Sequence, residues 1–250
     1  MEKVTIITLV YNPGKCIYRC VDSVLNQTFK NFKFVIVDNA SSDGTKEILE
    51  EYAKKDSRIC LLRNELNNVR VLHCIRNFVN TEYFMVVDHD DWLELNALEL
   101  LYNMVEKEKV DIVFGRTDLR DVNEKLLETR GYFRTEIISS NELPEVFRVI
   151  YWQLRTLWGA LIRTSLSEYI DEKTFKFLLP ARYGCDTVMV LSMVFSASSI
   201  GFIKETIHNY RCHESSGSYS FCRERFMADW VLFDLAKQLL EKKNGFTPEN

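Results

Sequence analysis

Apolar and polar positions divide the chain near its midpoint into a regular half and an irregular one. Val4–Val10 is an unbroken run of aliphatic residues and threonine, as expected of a strand covered on both faces, and the turn YNPGK follows it. From Cys16 the apolar positions Ile17, Cys20, Val21, Val24 and on to Thr28 fall at helical spacing. FKFVIVD (Phe32–Asp38) predicts a second buried strand. NASSDGTKEILEEYAKK predicts a turn and an amphipathic helix, with acids in its early turns and lysines at its end. Arg58–Asn64 reads as a third strand, VRVLHCIRNFV as a helix, EYFMVVD as a fourth strand, Leu93–Lys109 as a long helix and Val110–Gly115 as a fifth strand. Strands alternating with helices predict an α/β fold, a mostly parallel sheet flanked by helices.

The second half gives weaker periods. DVNEK predicts a hairpin turn, Ser140–Gln153 and Cys185–Ser198 helices, Ile200–Arg211 an extended segment, HESSGSYS a polar loop and Cys222–Lys243 a long terminal helix. With 250 residues, 46% of them hydrophobic, the chain can bury one sizeable core. A net charge of −4 without any basic block argues against nucleic acid as a partner. Seven scattered cysteines without a C-x-x-C pair predict neither a zinc site nor a disulfide framework, and read as reduced thiols. No segment reaches the roughly 18 apolar residues of a membrane span, and the N-terminus lacks a signal-peptide pattern. The expected location is cytoplasmic, with the inner face of the membrane left open. The terminal helix mixes aromatic residues with charges that sum to only +1, weak for anionic lipid, so packing on the body or a partner is favoured.

In parallel α/β sheets ligands bind outside the carboxyl ends of the strands. Strand one ends at Tyr11-Asn12, strand two at Asp38 and strand four at Asp88-His89-Asp90-Asp91. Three carboxylates within four positions repel one another, so a cation is expected among them, unless the cluster is a solvated turn capping the next helix. Mg²⁺ and Mn²⁺ take hard oxygen ligands and share their shell with substrate phosphates, which suits Asp-x-Asp at a strand end. Asp38 can accept hydrogen bonds from a ligand or hold a turn. Arg70 and Arg76 can reach a diphosphate or lie on the surface. Asp186, just before an apolar helical run, can be a general base or an N-cap. Arg211 and His213 open a polar loop that could close over a diphosphate. The turn after strand one holds neither G-x-G-x-x-G nor G-x-x-x-x-G-K-[ST], which disfavours dinucleotide oxidoreductases and P-loop hydrolases.

In this order, VTIITLVYN, SVLNQTFKNFKFVIVDNASSDGT at Ser23–Thr45, Arg76-Asn77, DHDDW at Asp88–Trp92, CDT at Cys185–Thr187 and YRCHESSGS at Tyr210–Ser218 resemble the family 2 glycosyltransferases, which have the GT-A fold. The resemblance covers about residues 3–218 and is strongest up to about residue 115. It implies an inverting transferase that takes a nucleoside-diphosphate sugar, a UDP-sugar first, to a sugar or lipid-linked glycan acceptor in surface-polysaccharide assembly. By that resemblance Asp38 accepts from the base, the backbone near Thr8 and Tyr11 helps to hold it, and Asp88 contacts the ribose. Asp90 ligates Mn²⁺ or Mg²⁺, Arg70, Arg211 and His213 contact the donor, and Asp186 is the catalytic base. Residues 1–115 would form the nucleotide-sugar half, 116–220 the acceptor half and 221–250 a C-terminal helix. The chain departs from the family at Asn39, where a second Asp is frequent, at Cys185, where Glu is usual, and at NNVRVLHC, which lacks small residues. A non-catalytic binding module and a sugar nucleotidyltransferase are the rival readings. The latter calls for a Gly-rich basic loop that YNPGK does not match.

Overall fold

The computed structural model describes residues 2–181, 183–213, 224–243 and 245. The first half alternates as its pattern predicts: β1 (Val4–Val10), α1 (Cys16–Leu25), β2 (Phe32–Asn39), α2 (Thr45–Lys55), β3 (Ile59–Asn64), α3 (Val71–Phe78) and β4 (Tyr83–Val86). After it come β5 (Trp92–Leu93), α4 (Ala97–Glu108), β6 (Ile112–Arg120), β7 (Leu126–Arg130), β8 (Glu136–Ser139), α5 (Leu143–Ile150), β9 (Ala160–Arg163), α6 (Glu172–Leu178), α7 (Cys185–Ser196), β10 (Ser199–Arg211) and α8 (Glu224–Lys242).

All ten strands join one sheet in the order β3-β2-β1-β4-β9-β6-β10-β5, with β7 on β6 and β8 on β10. Pairing is parallel from β3 to β4. Beyond β4 the sheet is mixed: β9 runs antiparallel to both β4 and β6, while β10 returns parallel to β6. The register Val10↔Asp38 and Ile7↔Val86 brings the ends of β1, β2 and β4 to one edge, so Asp38 and Asp88 share the carboxyl side of the sheet.

Strand residues alternate between two cores. Ile7, Val35, Val37, Phe84 and Val86 face α3, α5, α7 and α8, whereas Ile6, Phe34, Ile36, Met85 and Val87 face α1 and α4. Both faces are therefore covered, which is why these strands read as continuous apolar runs. α7 is buried along nearly its whole length from Thr187 to Phe195, and its one charged residue is Asp186. α8 covers α7 with Ala228, Leu232 and Leu235 and turns Phe226, Met227, Trp230 and Phe233 outward. Among the described residues no helix is long and apolar enough to cross a membrane.

Several boundaries differ from the sequence pattern for tertiary reasons. The helix expected from Leu93 starts at Ala97, because Trp92 and Leu93 pair with Asn209 and His208. The fifth strand runs on to Arg120, where the side chain of Asp121 accepts from the amides of Asn123 and Lys125 and turns the chain into β7. The same β6 crosses the expected boundary at residue 115, so both halves share one sheet. β8, β9 and α6 were not anticipated; each is short, and β9 is fixed by pairing on both sides rather than by its own pattern. The polar loop that begins at His213, and the start of the terminal helix, lie outside the described residues from 214 to 223.

Candidate active site

The turn after β4 is pinned from several sides. Thr8 Oγ1 donates to the carbonyl of Val87 at 2.8 Å, Cys20 Sγ to that of Asp88 at 3.4 Å, and His89 Nδ1 lies 3.0 Å from the carbonyl of Leu9. Beyond the acids, Ser23 Oγ accepts the Leu93 amide at 3.1 Å. Gln27 accepts the Leu98 amide at 2.9 Å and donates to the Glu94 carbonyl at 2.7 Å. Ser23 and Gln27 thus clamp the backbone that leaves the acid cluster, and this gives the S-x-x-x-Q spacing at the end of α1 and just beyond it a physical reason. The side chains of Gln27 and Thr8 are fully buried and point into the protein, so Thr8 can meet a ligand only through its backbone. Tyr11 is exposed.

The three acids of the turn differ sharply. Asp91 is wholly buried; one oxygen accepts the Arg211 amide at 2.9 Å, and the other lies 3.2 Å from Nε2 of the equally buried His208, off the hydrogen-bonding direction. Burial first, then Asp90, pushes the Asp91 carboxyl well above the usual range, and burial pushes His208 down to about 3, so its imidazole is neutral. Asp90 is half-buried and meets His213 Nε2 at 2.8 Å. Asp88 is open to cleft water although protein surrounds it on most sides. Its carboxyl is raised well above the ordinary value by burial, then by Asp91, Asp90 and Asp186. A cation would relieve this repulsion, and the carboxylates of Asp88 and Asp90 are the kind of hard oxygens that Mn²⁺ or Mg²⁺ takes. Among the described residues no group of three or more His, Cys, Asp or Glu is arranged to hold a metal ion, so an ion here would need further ligands from its substrate.

Asp186 reaches the same cleft from the other side. The N-cap of α7 is Gly184, at φ 82°, and Asp186 stands inside the first turn, so the capping reading does not hold. No described residue hydrogen-bonds its carboxylate. Its surroundings push it up to about 6, through desolvation alone. Asp88, Asp90 and Asp186 line one cleft of about 600 Å³. Trp158 lines it too, stacked on His208 at 4.8 Å and on Tyr210 at 5.4 Å between ring centres, and bridged to Val86.

Asp38 lies apart from that cleft. It is buried, accepting the Ser41 amide at 2.9 Å on one oxygen and Arg63 Nη1 at 2.5 Å on the other. Asn39, in place of the family's second acid, bonds the Val69 carbonyl and Asn64. The turns after β1 and β2 are knitted together: Asn12 accepts the Ser42 amide, and Ser41 and Asp43 accept the Asn12 and Gly14 amides. Asn12 and Ala40 sit in the left-handed region at φ 48° and 67°, a conformation held where the surroundings over-determine it. Arg70 is the exposed N-cap residue of α3 and lies close enough to Cys185 to influence its thiol, which places it beside the start of α7. Arg76 pairs with Glu172 at 2.6 Å on the surface. Arg211 lays a guanidinium against Cys16 Sγ at 3.0 Å.

Sequence reasoning missed the cleft wall. Trp158 and Tyr183, with Arg130 and Arg155, come from segments without a readable period, while Trp152 and Arg225 lie at the ends of helices that were expected but not assigned to the site. The available signal was an excess of aromatic and arginine residues in an irregular stretch.

The sheet order, the two covered faces and the acids gathered at the strand ends define a GT-A transferase domain. Residues 5–163, more than half of the chain, match "Glycosyl transferase family 2", and the chain belongs to that family. It is 25% identical over 229 residues to the glycosyltransferase GlyA of Streptococcus pneumoniae, covering 86% of this chain and 31% of GlyA. It is 29% identical over 208 residues to the poly(ribitol-phosphate) beta-N-acetylglucosaminyltransferase TarP of Staphylococcus aureus, covering 80% of this chain and 59% of TarP. The chain thus spans about a third of GlyA and under two thirds of TarP. The crystal structure of S. aureus TarS in complex with UDP-GlcNAc superposes with a TM-score of 0.72 at 16% identity, over all of this chain and 74% of that one, a likeness of fold.

Proposed function

We propose that the protein is an inverting glycosyltransferase that moves a sugar from a nucleoside-diphosphate sugar to a hydroxyl of a surface-glycan acceptor. The observation that carries this reading is the unpartnered Asp186 carboxylate facing Asp88 and Asp90 in one cleft. A sugar hydroxyl is a poor nucleophile until its proton is taken. Asp186 receives that proton as the hydroxyl oxygen bonds to the anomeric carbon. The bond from that carbon to the diphosphate breaks in the same displacement, and the configuration inverts. A bound Mn²⁺ or Mg²⁺ would neutralise charge growing on the leaving diphosphate. Asp90, with Asp88 and His213 beside it, would hold the ion. Asp38, through the turn it fixes, together with Arg70, Arg211 and the backbone near Thr8 and Tyr11 binds the nucleotide; apart from Arg211 and His213, residues 1–115 serve the donor and 116–220 the acceptor.

The UDP-GlcNAc bound by TarS supports a nucleotide-sugar donor and puts UDP-sugars first, and the polymer in the name of TarP supports a cell-surface acceptor. A screen of nucleotide-sugars for Mn²⁺-dependent hydrolysis and thermal stabilisation tests the proposal. One donor should be cut and should raise the melting temperature. No response to any donor, with and without metal, would favour a binding module.

A further inference from the structure

Thr156, Leu157 and Trp158 lead into β9 as a short extended segment. Thr156 has φ −132° and ψ 143°, and successive side chains of such a segment point to opposite sides. Leu157 is buried in the core that α7 fills, whereas Thr156 and Trp158 line the cleft that holds Asp88 and Asp186. The backbone here is fixed from several directions. Trp158 bridges to Val86, which precedes the acid turn. The carbonyl of Gly159 accepts the Gly115 amide at 3.1 Å. Gly159 itself takes φ 75°, and a Cβ there would stand 3.3 Å from Thr117 Oγ1. The indole of Trp158 packs nearly parallel to two rings of β10, 16° from His208 and 27° from Tyr210. His208 is the buried end of this stack, and Trp158 and Tyr210 carry it to the cleft. The Thr156 hydroxyl bonds no described residue.

We propose that Trp158 and Thr156 form a seat for a pyranose ring at the reacting end of the cleft. The proposal rests on the transferase reading above and names the groups that would position and select its sugar. A pyranose carries C–H groups on its faces and hydroxyls around its rim. Its faces are apolar enough to leave water for an aromatic surface, while each rim hydroxyl that leaves water needs a hydrogen-bond partner. Trp158 supplies the aromatic surface. Thr156, on the same side of the segment, supplies a hydroxyl that can both donate and accept. A side chain that served packing alone would lie in the core as Leu157 does. The ring stack and the fixed backbone hold the indole in place before a sugar arrives, so little ordering remains to be done on binding. The sugar carried by the diphosphate and the sugar that receives it share this chemistry, and the experiment separates the two.

The full chain is titrated calorimetrically as wild type, Trp158→Ala and Thr156→Val. One arm compares UDP with UDP-glucose, UDP-N-acetylglucosamine and UDP-galactose in the presence of Mn²⁺. The other arm adds the methyl glycosides of the same three sugars, with and without UDP and Mn²⁺. In Trp158→Ala at least one sugar-bearing probe should weaken by about tenfold or more, with UDP itself unchanged. A UDP-sugar that weakens relative to UDP assigns the seat to the donor's sugar, reached from the second half of the chain. A glycoside that weakens assigns it to the acceptor's sugar. Thr156→Val keeps the shape of the side chain and should weaken the same probe by a smaller factor. Should Trp158→Ala fail to fold, Thr156→Val alone must show that loss. Affinities for every sugar that survive in the variants, an equal loss of UDP and UDP-sugar, or a wild type that binds none of the probes would overturn the proposal. A wild type that binds a glycoside through Trp158 but binds no UDP would sink the donor reading and leave the sugar seat standing.

Discussion

Asp38 and Asp186 are two acids at the ends of regular elements, and they are served in opposite ways. Asp38 ends a strand in the parallel half, where each of its oxygens has a donor from its own chain. Asp186 opens a helix in the mixed half, where no described residue bonds it; its carboxylate opens to the cleft, and desolvation by the protein around it lifts it to about 6. A carboxylate whose partners are supplied by the fold is held in place and fixes its surroundings. One left without them is available to a substrate's proton. The same contrast runs through both halves: the Asn12–Asp43 turns bond one another, while the cleft wall presents exposed rings and guanidinium groups.

The sharpest way to break this comparison is Asp186→Asn, which is nearly isosteric but cannot take a proton. Turnover should fall by roughly 10²–10⁴, with UDP binding unchanged in a calorimetric titration. In the wild type the rate should rise with pH through about 6 and then level off, as the base loses its proton. Stability carries its own signal. The folded pKa of about 6 lies above the ordinary 3.8, so the folded chain retains a proton that the unfolded chain has already released within that window. Stability from this group is therefore present below about pH 4 and is lost as pH rises to about 6. Asn escapes that loss, so the variant should melt with the wild type near pH 4 and no lower than it at neutral pH. A variant that melts clearly lower and loses UDP together with activity would make Asp186 structural.

Asp90→Ala ranks next. Removing one ligand should lower turnover by about 10²–10³. Wild-type protein should bind Mn²⁺ weakly alone and more tightly with UDP, because the phosphates complete the shell. Fluorescence or calorimetric titration of Mn²⁺ should show that gain shrink in the variant. Equal affinity with and without UDP in the wild type would remove the metal from this site.

What could be read from the sequence follows the same division. β1, β2, β4 and the acids after them were legible because a strand covered on both faces must be continuously apolar, and any polar residue at its end then stands out. β9 was not, since ALIR becomes a strand through its neighbours β4 and β6. The place of Asp186 was legible, but its freedom from capping was not, because Gly184 takes that role through a positive φ. Arg63 was not recognised as the partner of Asp38, since the bond crosses between neighbouring strands at a register position, Asp38↔Arg63, that no local period reveals.

Asp38→Ala probes the bonded member of the pair. It leaves the Ser41 amide and Arg63 without their acceptor, at a cost of about 1–3 kcal/mol. Chemical denaturation should show that loss, and UDP affinity should weaken with it. Arg63→Ala in the Asp38→Ala background should cost little more, since the two side chains share one interaction. Full additivity of the two changes would mean that the pair does not hold the turn.

The smallest effect belongs to Thr8→Val, and it separates support of the acid turn from contact with a ligand. The two side chains have nearly the same shape, so the packing around β1 is kept. What is lost is the hydroxyl that donates to the Val87 carbonyl at 2.8 Å. That carbonyl immediately precedes Asp88, and it also accepts no share of the ladder bond that the Val87 amide makes to Ile7 at 3.0 Å. Leaving a buried carbonyl short of a donor should cost about 1 kcal/mol, measurable as a small drop in the denaturation midpoint. The turn keeps its other pins from Cys20, His89 and Ser23, so the acids should hold their positions and turnover should change by less than about tenfold. UDP affinity should be unchanged, because the hydroxyl points into the protein, away from any ligand. A loss of UDP binding at full stability would mean that the Thr8 side chain turns outward when the donor arrives, and the turn after β4 would then be rebuilt by its own ligand.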